Sequence, residues 1–244
     1  DVAAALAGSF ADAYTGNVTL SDTPTNAQLA LIDAATTGNI IYSGSNDYTV
    51  SDSTISAGQL NALDGQYSGT VDASAVTTVT GTAAEITTVY ASSGISGLGN
   101  EAVTITDNLS IAELNNIAAQ TTGVVSATLA ANSIANLASL STAATDQITV
   151  TINDADGTAL TAAKLSTLGG KTAGTVFVTN AVNIIGDHDQ LTAALVTAET
   201  KVVVSDATVL INDADATSIT ASDITAIAGA TTGTVTVSNN INIT

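Results

Sequence analysis

Two short loops carry the residues with the clearest potential for chemistry in this chain. Each reads Asn-Asp-Ala-Asp, first at 153–156 and again at 212–215. Calcium in proteins is bound by oxygen atoms of carboxylates, amides and backbone carbonyls, and such side chains stand here at alternate positions of a loop. The sequence therefore predicts a Ca²⁺ site, whose ligands would be Asn153, Asp154, Asp156, Asn212, Asp213 and Asp215.

The same loops have a second interpretation that needs no metal. Asn and Asp commonly terminate strands and bond to nearby backbone, and Gly157 permits a tight turn after the first loop. The glutamate that closes an EF-hand loop follows neither stretch. Turn formation alone therefore stays open beside calcium binding, and no cofactor other than Ca²⁺ is predicted.

The sequence offers little that could perform catalysis. Its only histidine, His188, stands between Asp187 and Asp189, at the start of a predicted helix where it is expected to face water. The chain has no cysteine and no arginine that could complete a nucleophilic, zinc or phosphate-binding site. We therefore predict that this protein is not an enzyme.

A glycan-binding face has only weak support. All five tyrosines fall within the first 90 residues, but they occupy different positions relative to the helices and strands predicted below. Aromatic side chains that do not share one register are not expected to build a common binding platform. Glycan binding therefore remains a secondary possibility.

Charge and composition exclude several classes of partner. The net charge is −19, from 22 acidic residues against three lysines. Nucleic-acid binding depends on Lys and Arg contacts to phosphates, so nucleic acid is not an expected partner. No stretch of about 18 consecutive apolar residues is present, which argues against insertion into a membrane. An abundance of Thr, Ser, Asn, Asp and Gly with few lysines is typical of exported surface proteins.

A recurring pattern organises the whole chain. A Ser, Thr or Asp helix cap is followed four and seven residues later by apolar positions, then by a glycine in most copies, and then by an alternating apolar pair typical of a strand. Successive caps stand 23 to 33 residues apart. The caps are Thr25, Ser56, Thr82, Ser110, Ser133, Thr161, Asp187 and Thr220.

Each unit is too small to bury its own apolar residues, so copies must pack against one another. The sequence therefore predicts an α/β repeat solenoid, with strand, turn, often a second short strand and a short helix in each unit. The glycine is expected to end the helix in the left-handed conformation. A β-rich sandwich or an array of hairpins with short helices is the alternative, with 237–242 as a candidate turn. Residues 1–244 are predicted to form one continuous array of about nine units.

Two of these units carry a resemblance. The stretches "SAGQLNALDGQYSGTVDASAV" and "TAAKLSTLGGKTAGTVFVTNA" resemble repeats of very large exported proteins of cyanobacteria and other marine bacteria, similar in composition to RTX adhesins. The glycine-rich nonapeptide of RTX calcium-binding repeats is not in the chain. The resemblance implies an extracellular or cell-surface location and a role in a surface layer, matrix or adhesin.

We therefore predict a structural module of an extracellular assembly such as a fibre, sheath, surface layer or giant adhesin. The alternative is a calcium-dependent adhesin module that binds a glycan or another cell. The chain is interpreted as a segment or processed subunit of something longer, which joins copies of itself or adjacent modules end to end. The residues expected at that junction are Val235, Val237, Ile241 and Ile243.

Overall fold

The structure is a computed structural model and describes residues 14–20, 26–42, 47–197 and 201–244. The chain divides into two compact units. The first contains Asp1–Thr106 and Gln120–Gly123, and the second contains Asp107–Ala119 and Val124–Thr244. The cap at Thr25 lies outside the described residues.

Short helices alternate with short strands along the described residues. A single π-helical turn, Thr192–Val196, continues the seventh helix. The α-helices are α1 (Asn26–Ala35), α2 (Ala57–Gln66), α3 (Ala83–Ala91), α4 (Ile111–Ala118), α5 (Ile134–Leu137), α6 (Ala162–Gly169), α7 (His188–Leu191) and α8 (Ala221–Gly229).

The strands have between two and eight residues each. Those in the first half of the chain are β1 (Val18–Leu20), β2 (Ile40–Tyr42), β3 (Tyr48–Thr49), β4 (Thr54–Ser56), β5 (Val71–Asp72), β6 (Thr78–Gly81), β7 (Ile95–Ser96) and β8 (Ala102–Leu109). Those in the second half are β9 (Val125–Leu129), β10 (Gln147–Ile152), β11 (Ala159–Thr161), β12 (Val176–Val178), β13 (Asn183–Gly186), β14 (Val202–Val204), β15 (Thr208–Ile211), β16 (Ser218–Ile219), β17 (Val235–Val237) and β18 (Asn242–Ile243).

In the first unit, strands that lie one helix apart in sequence pair in parallel. Strand β1 pairs with β2, β3 with β5 and then β7, and β4 with β6 and then β8. The register keeps equivalent apolar residues side by side, as with Ile55, Val79 and Val103. All three are buried, so the sheet contributes a row of β-branched side chains to the core of this unit.

The second unit follows the same rule with longer runs. One run of parallel pairs joins β9, β10, β12 and β14, and another joins β11, β13, β15 and β17. A two-stranded pair joins β16 to β18. Val150 and Val176 are directly opposite each other and fully buried, so strand pairing and core packing use the same residues.

The predicted solenoid is wrong. The structure is a mixed α/β fold with several parallel sheets, the largest of which has seven strands. Every strand pair among the described residues is parallel, so the alternative of hairpins or a β-sandwich is wrong as well. A strand, a helix and a second strand give a parallel pair in many α/β folds, and the local pattern does not determine how strands divide among sheets. The prediction of one array belonging to a longer chain stays a prediction.

Local signals located the helix starts well. The side chains of Ser56, Thr82 and Ser110 accept hydrogen bonds from the backbone N–H three residues on, and the residue there completes a capping box each time. Thr161 makes no such bond, and Asp187 caps α7 through the N–H of Gln190 alone. Capping is therefore a property of individual helices and not of every copy of the pattern.

The apolar anchors of the helices form the core. Leu60 and Leu63 of α2, Leu114 of α4, and Leu165 and Leu168 of α6 are all buried. In α8, by contrast, Ile227 is buried while Ile224 is half-buried. The spacing of four and seven residues after a cap thus predicts which side chains a helix buries, with weaker burial at the last helix.

Candidate functional site

The first aspartate of each Asn-Asp-Ala-Asp loop binds the start of a helix. Asp154 lies just after β10, and its Oδ2 accepts a hydrogen bond from the backbone N–H of Ile134 at 2.7 Å. Asp213 lies just after β15, and its Oδ2 accepts one from the N–H of His188 at 2.8 Å. Because a helix begins with unbonded N–H groups, each carboxylate stabilises a helix that starts 20 or 25 residues before it.

The second aspartate of each loop binds a turn that follows it. Oδ1 of Asp156 accepts a hydrogen bond from the N–H of Ala181 at 3.1 Å, and Oδ1 of Asp215 accepts one from Asn240 at 3.0 Å. A side-chain amide completes each arrangement, because Asn239 donates to the carbonyl of Asp213 at 2.6 Å. In the first loop, the side-chain amide of Asn180 likewise donates a hydrogen bond to the carbonyl of Asp154, at 2.7 Å. The two loops therefore share one construction.

The backbone N–H groups of the two loop asparagines are also bonded: that of Asn153 to the carbonyl of Asn132, and that of Asn212 to the carbonyl of Gly186. Within the described part of the chain, no group of three or more His, Cys, Asp or Glu side chains is arranged to hold a metal ion. One oxygen of each loop aspartate is engaged by backbone N–H groups. Calcium binding at these loops stays a prediction; a cation would have to use the remaining carboxylate oxygens, of which that of Asp213 already lies 2.6 Å from Nδ1 of His188.

The environment of His188 differs most from the one that the sequence predicted. Nδ1 of His188 lies 2.6 Å from Oδ1 of Asp213, and its Nε2 lies 3.3 Å from Oδ1 of Asp189. The expectation that it faces water is wrong, because its side chain is only 19% exposed. The bond from Asp213 is the main cause that raises the pKa of His188 above its usual value, with smaller contributions from the charges of Asp213, Asp189 and Asp223.

A Thr-x-Gly turn recurs before several strands and was missed in the sequence. We call it the clasp: the Thr hydroxyl donates to a backbone carbonyl about 20 to 26 residues earlier and accepts the N–H of the glycine two residues on. The hydroxyl of Thr172 is fully engaged, because its single hydrogen is shared between the carbonyls of Asp146 and Ile148 and its oxygen accepts from the N–H groups of Ile148 and Gly174. The clasps are Thr36–Gly38, Thr121–Gly123, Thr172–Gly174 and Thr231–Gly233.

The clasp explains the recurring glycine better than the left-handed conformation does. Positive φ angles occur at Gly97, Gly99 and Gly157 but not at the clasp glycines, so that expectation is wrong for them. A Cβ on Gly174 would lie 2.3 Å from the carbonyl oxygen of Ile148. The glycine is needed because two backbone segments approach more closely than any side chain allows.

Two buried carboxylates were also missed, and each organises a loop. Glu101 accepts hydrogen bonds from the N–H groups of Gly99 and Asn100 and from the hydroxyl of Tyr90. Burial, followed by this bond to Glu101, raises the pKa of Tyr90 far above its usual value. Asp146 accepts from the N–H groups of Val125 and Ala143. Nothing in the local sequence distinguishes these two carboxylates from exposed ones.

The described tyrosines do not gather on the surface. Tyr48 and Tyr67 are buried in the first unit, and their rings are in contact at a tilt of 39° with centroids 4.7 Å apart. Tyr90 is half-buried against Glu101, and Tyr14 is exposed. Among the tyrosines whose side chains the structure describes, which exclude Tyr42, Tyr14 is therefore the one exposed ring.

The residues predicted at a junction lie at the edge of two sheets. Val235 and Val237 belong to β17, which pairs with β15 and with no other described strand. Both are half-buried, as is Ile241. Ile243 belongs to β18, which pairs with β16, and its side chain is 64% exposed. The fold therefore brings Val235, Val237 and Ile243 to strands with an open edge, and Ile241 to the residue just before β18.

No described helix combines the length and the apolarity that crossing a bilayer requires. Comparisons with protein-family models, with curated proteins and with solved structures gave no match. The resemblance to repeats of exported adhesins, the extracellular location and the structural role stay predictions.

Proposed function

We propose that this chain is a structural, non-enzymatic module of an extracellular or cell-surface assembly, and that it associates with copies of itself or adjacent modules through the open edge of β17 and β18. The observation that carries the proposal is this edge. Its residues, 235–243, are uncharged, and they include an exposed isoleucine.

The outer edge of β17 has backbone groups that could pair with a further strand. Its bonds to β15 use the carbonyl of Thr234 and the N–H of Ser238. In a parallel pair, alternate residues direct their N–H and C=O groups to opposite sides, so Val235 and Val237 direct theirs outward. Unpaired groups of this kind accept another strand, and natural edges are usually protected by Lys or Pro. Neither residue occurs after Lys201.

The chemistry elsewhere in the molecule supports an architectural role. The two Asn-Asp-Ala-Asp loops, the clasps, Glu101 and Asp146 all make hydrogen bonds to backbone groups of this same chain. These polar side chains stabilise the fold, whereas the outward backbone groups of the open sheet edge are available to an outside partner.

The experiment compares two lysine substitutions with equal effect on net charge. Ile243→Lys places a charge at the open edge, whereas Leu31→Lys places the same charge on α1 at a side chain of similar exposure, 59%. Sedimentation velocity over a concentration series and electron microscopy would report assembly. We expect the wild type and Leu31→Lys to form end-to-end oligomers and Ile243→Lys to form none. A wild-type chain that stays monomeric at every concentration would refute the proposal.

A second variant separates edge pairing from charge. Val235→Pro removes an N–H that points away from β15, so it blocks a further strand while sparing the bonds within the sheet. Val235→Thr keeps that N–H and is the matched control. Loss of assembly in the proline variant alone, with both variants folded by circular dichroism, is the expected result.

A further inference from the structure

The few cations of this chain are concentrated at one groove of the second unit. The groove lies between α5 and α6 and has a volume of about 200 Å³. Its floor is apolar, and Lys164 and Lys171 line it. Two of the three lysines in the sequence therefore meet at one place on a chain of net charge −19. The apolar floor is formed by Ile134, Ala138, Ala163 and Leu168.

Both ammonium groups keep donors for an outside acceptor. Nζ of Lys171 donates to the carbonyls of Ala138 and Leu140, at 2.8 and 2.6 Å, which leaves one of its three N–H bonds. Lys164 is exposed and makes no hydrogen bond to another described residue. No ion pair joins either lysine to a carboxylate within the described residues. Their charges are thus not neutralised by the fold.

A groove of the same construction in the first unit lacks these charges. It lies between α1 and α2, has a volume of about 120 Å³ and is lined by Gln59 and Gln66. These glutamines stand three and ten residues after the cap Ser56, as the two lysines stand after Thr161. The helical pattern therefore builds the groove in both units, and the lysines belong to the second groove alone.

We propose that Lys164 and Lys171 form a docking site for a carboxylate side chain of a second copy of this chain. The proposal rests on the proposed function, since it needs copies that meet, but it places a contact on the helical side and not at the strand edge. An acidic side chain entering the groove would lie against the apolar floor. Reduced contact with water there strengthens its attraction to the two ammonium groups.

The observations favour a copy of this chain over a small ligand or a sugar. The groove is smaller than the pockets of about 300–1,000 Å³ that enclose drug-sized ligands, and no aromatic side chain lines it. Charge complementarity selects an acidic occupant. In an assembly of copies, the 22 acidic residues of each neighbour supply carboxylates at high local concentration, while three lysines supply few competing sites.

The test uses a carbodiimide, which joins a lysine amine to a carboxylate that it contacts. Equal amounts of ¹⁵N-labelled and unlabelled chain are mixed, cross-linked and digested. Mass spectrometry then identifies mixed-label pairs, which are cross-linked peptides of which one is ¹⁵N-labelled and the other is not. We expect mixed-label pairs that contain Lys164. Lys164→Gln gives the second groove the residue found at the equivalent place in the first; it removes the reactive amine and is therefore the blank that assigns these pairs to Lys164. It is preferable to a change at Lys171, whose ammonium also bonds to two carbonyls near the end of α5.

Lys201→Gln is the matched control, because it removes the same charge outside the groove. In the Lys201→Gln variant, mixed-label pairs at Lys164 should persist, and added salt should lower their yield. Cross-links at Lys164 whose two peptides always carry the same isotope would overturn the proposal, because they show contacts within one chain and none between copies. So would binding of polygalacturonate that depends on Lys164 without any contact between copies.

The Ile243→Lys variant distinguishes this contact from the edge contact. If the groove acts as proposed, mixed-label pairs at Lys164 survive when the sheet edge is blocked. If end-to-end assembly occurs in the wild type but these pairs never form, the groove proposal fails and the proposed function stands.

Discussion

His188 and Asp213 are joined twice, although 25 residues separate them. Oδ1 of Asp213 lies 2.6 Å from Nδ1 of the imidazole, and Oδ2 accepts the backbone N–H of the same histidine. The side chain of Asp213 is only 5% exposed, so this carboxylate depends on His188 for much of its polar contact. A single loop aspartate thus fixes both the backbone and the side chain at the start of α7.

This pair predicts a pH dependence of stability. The folded-state pKa of His188 is raised, so its contribution is fully present below the unfolded pKa of about 6.5 and is lost as pH rises through the folded value. We expect wild type to exceed His188→Gln in free energy of unfolding most at about pH 5.5 and least at about pH 8.5. Urea unfolding at a series of pH values measures this difference. A difference that is constant across the series would contradict the prediction, and Asp189→Asn, at an exposed partner, should show a smaller change.

The loop aspartates predict unequal costs of substitution. Asp154→Ala leaves the N–H of Ile134 unbonded at a partly buried helix start, and we expect a loss of about 1–3 kcal/mol. Asp156→Ala removes a bond to an N–H that is more exposed, so the loss should be smaller. Chemical denaturation in chelator measures both. Equal effects would show that the helix start does not depend on Asp154.

Calcium is tested separately at the same loops. Carboxylates on a chain of net charge −19 repel one another, and a bound divalent cation would relieve this repulsion. If the predicted site exists, calcium at about 100 times its dissociation constant adds about 2.7 kcal/mol. Thermal unfolding with calcium and with chelator would show the rise, and Asp154→Asn combined with Asp213→Asn would remove it. Identical midpoints in wild type would leave these residues as turn formers.

The clasp predicts opposite outcomes for two glycine substitutions. Gly174→Ala places a Cβ against the backbone of Ile148, and the two segments must separate, so we expect a strongly destabilised or unfolded protein. Gly229→Ala lies in α8 with nothing near the new Cβ, and should stabilise by about 0.5–1 kcal/mol. Melting temperatures of the two variants decide the matter. Destabilisation of similar size in both would refute the role of close backbone approach.

The helix anchors predict a cavity cost. Leu165→Ala empties a fully buried position in α6, and the expected loss of stability is about 2–5 kcal/mol. Leu31→Ala, on the exposed side of α1, should change stability by no more than about 0.5 kcal/mol. Denaturant unfolding of both variants provides the comparison. A small effect at Leu165 would mean that the anchors do not form the core.

Features set by nearby residues were predictable from sequence, and features set by distant partners were not. The helix starts at Ser56, Thr82 and Ser110 follow from residues within four positions of the cap. The alternation of helix and strand follows from periodicity. The division of strands among several sheets does not, because it depends on which distant strands pair.

The candidate site shows the same limit. The loop aspartates were recognised by their spacing, but their partners lie 20 to 25 residues away, at Ile134, Ala181, His188 and Asn240. Glu101 and Asp146 look like any other acidic residue until the fold buries them. The clasp had one visible signal: a Thr or Ser stands two residues before most of the recurring glycines.

The clasp also affects the susceptibility of the chain to proteolysis. Turns between regular elements are where proteolytic nicking usually concentrates, because a protease must draw an extended segment into its cleft. At Thr172–Gly174 the turn is tied by its hydroxyl and its amide, and its backbone lies directly against that of Ile148. Cleavage there requires two segments of chain to come apart first. The turns that carry clasps should therefore resist digestion for as long as the surrounding fold persists, so that cleavage at these turns reports the unfolding of the segments around them.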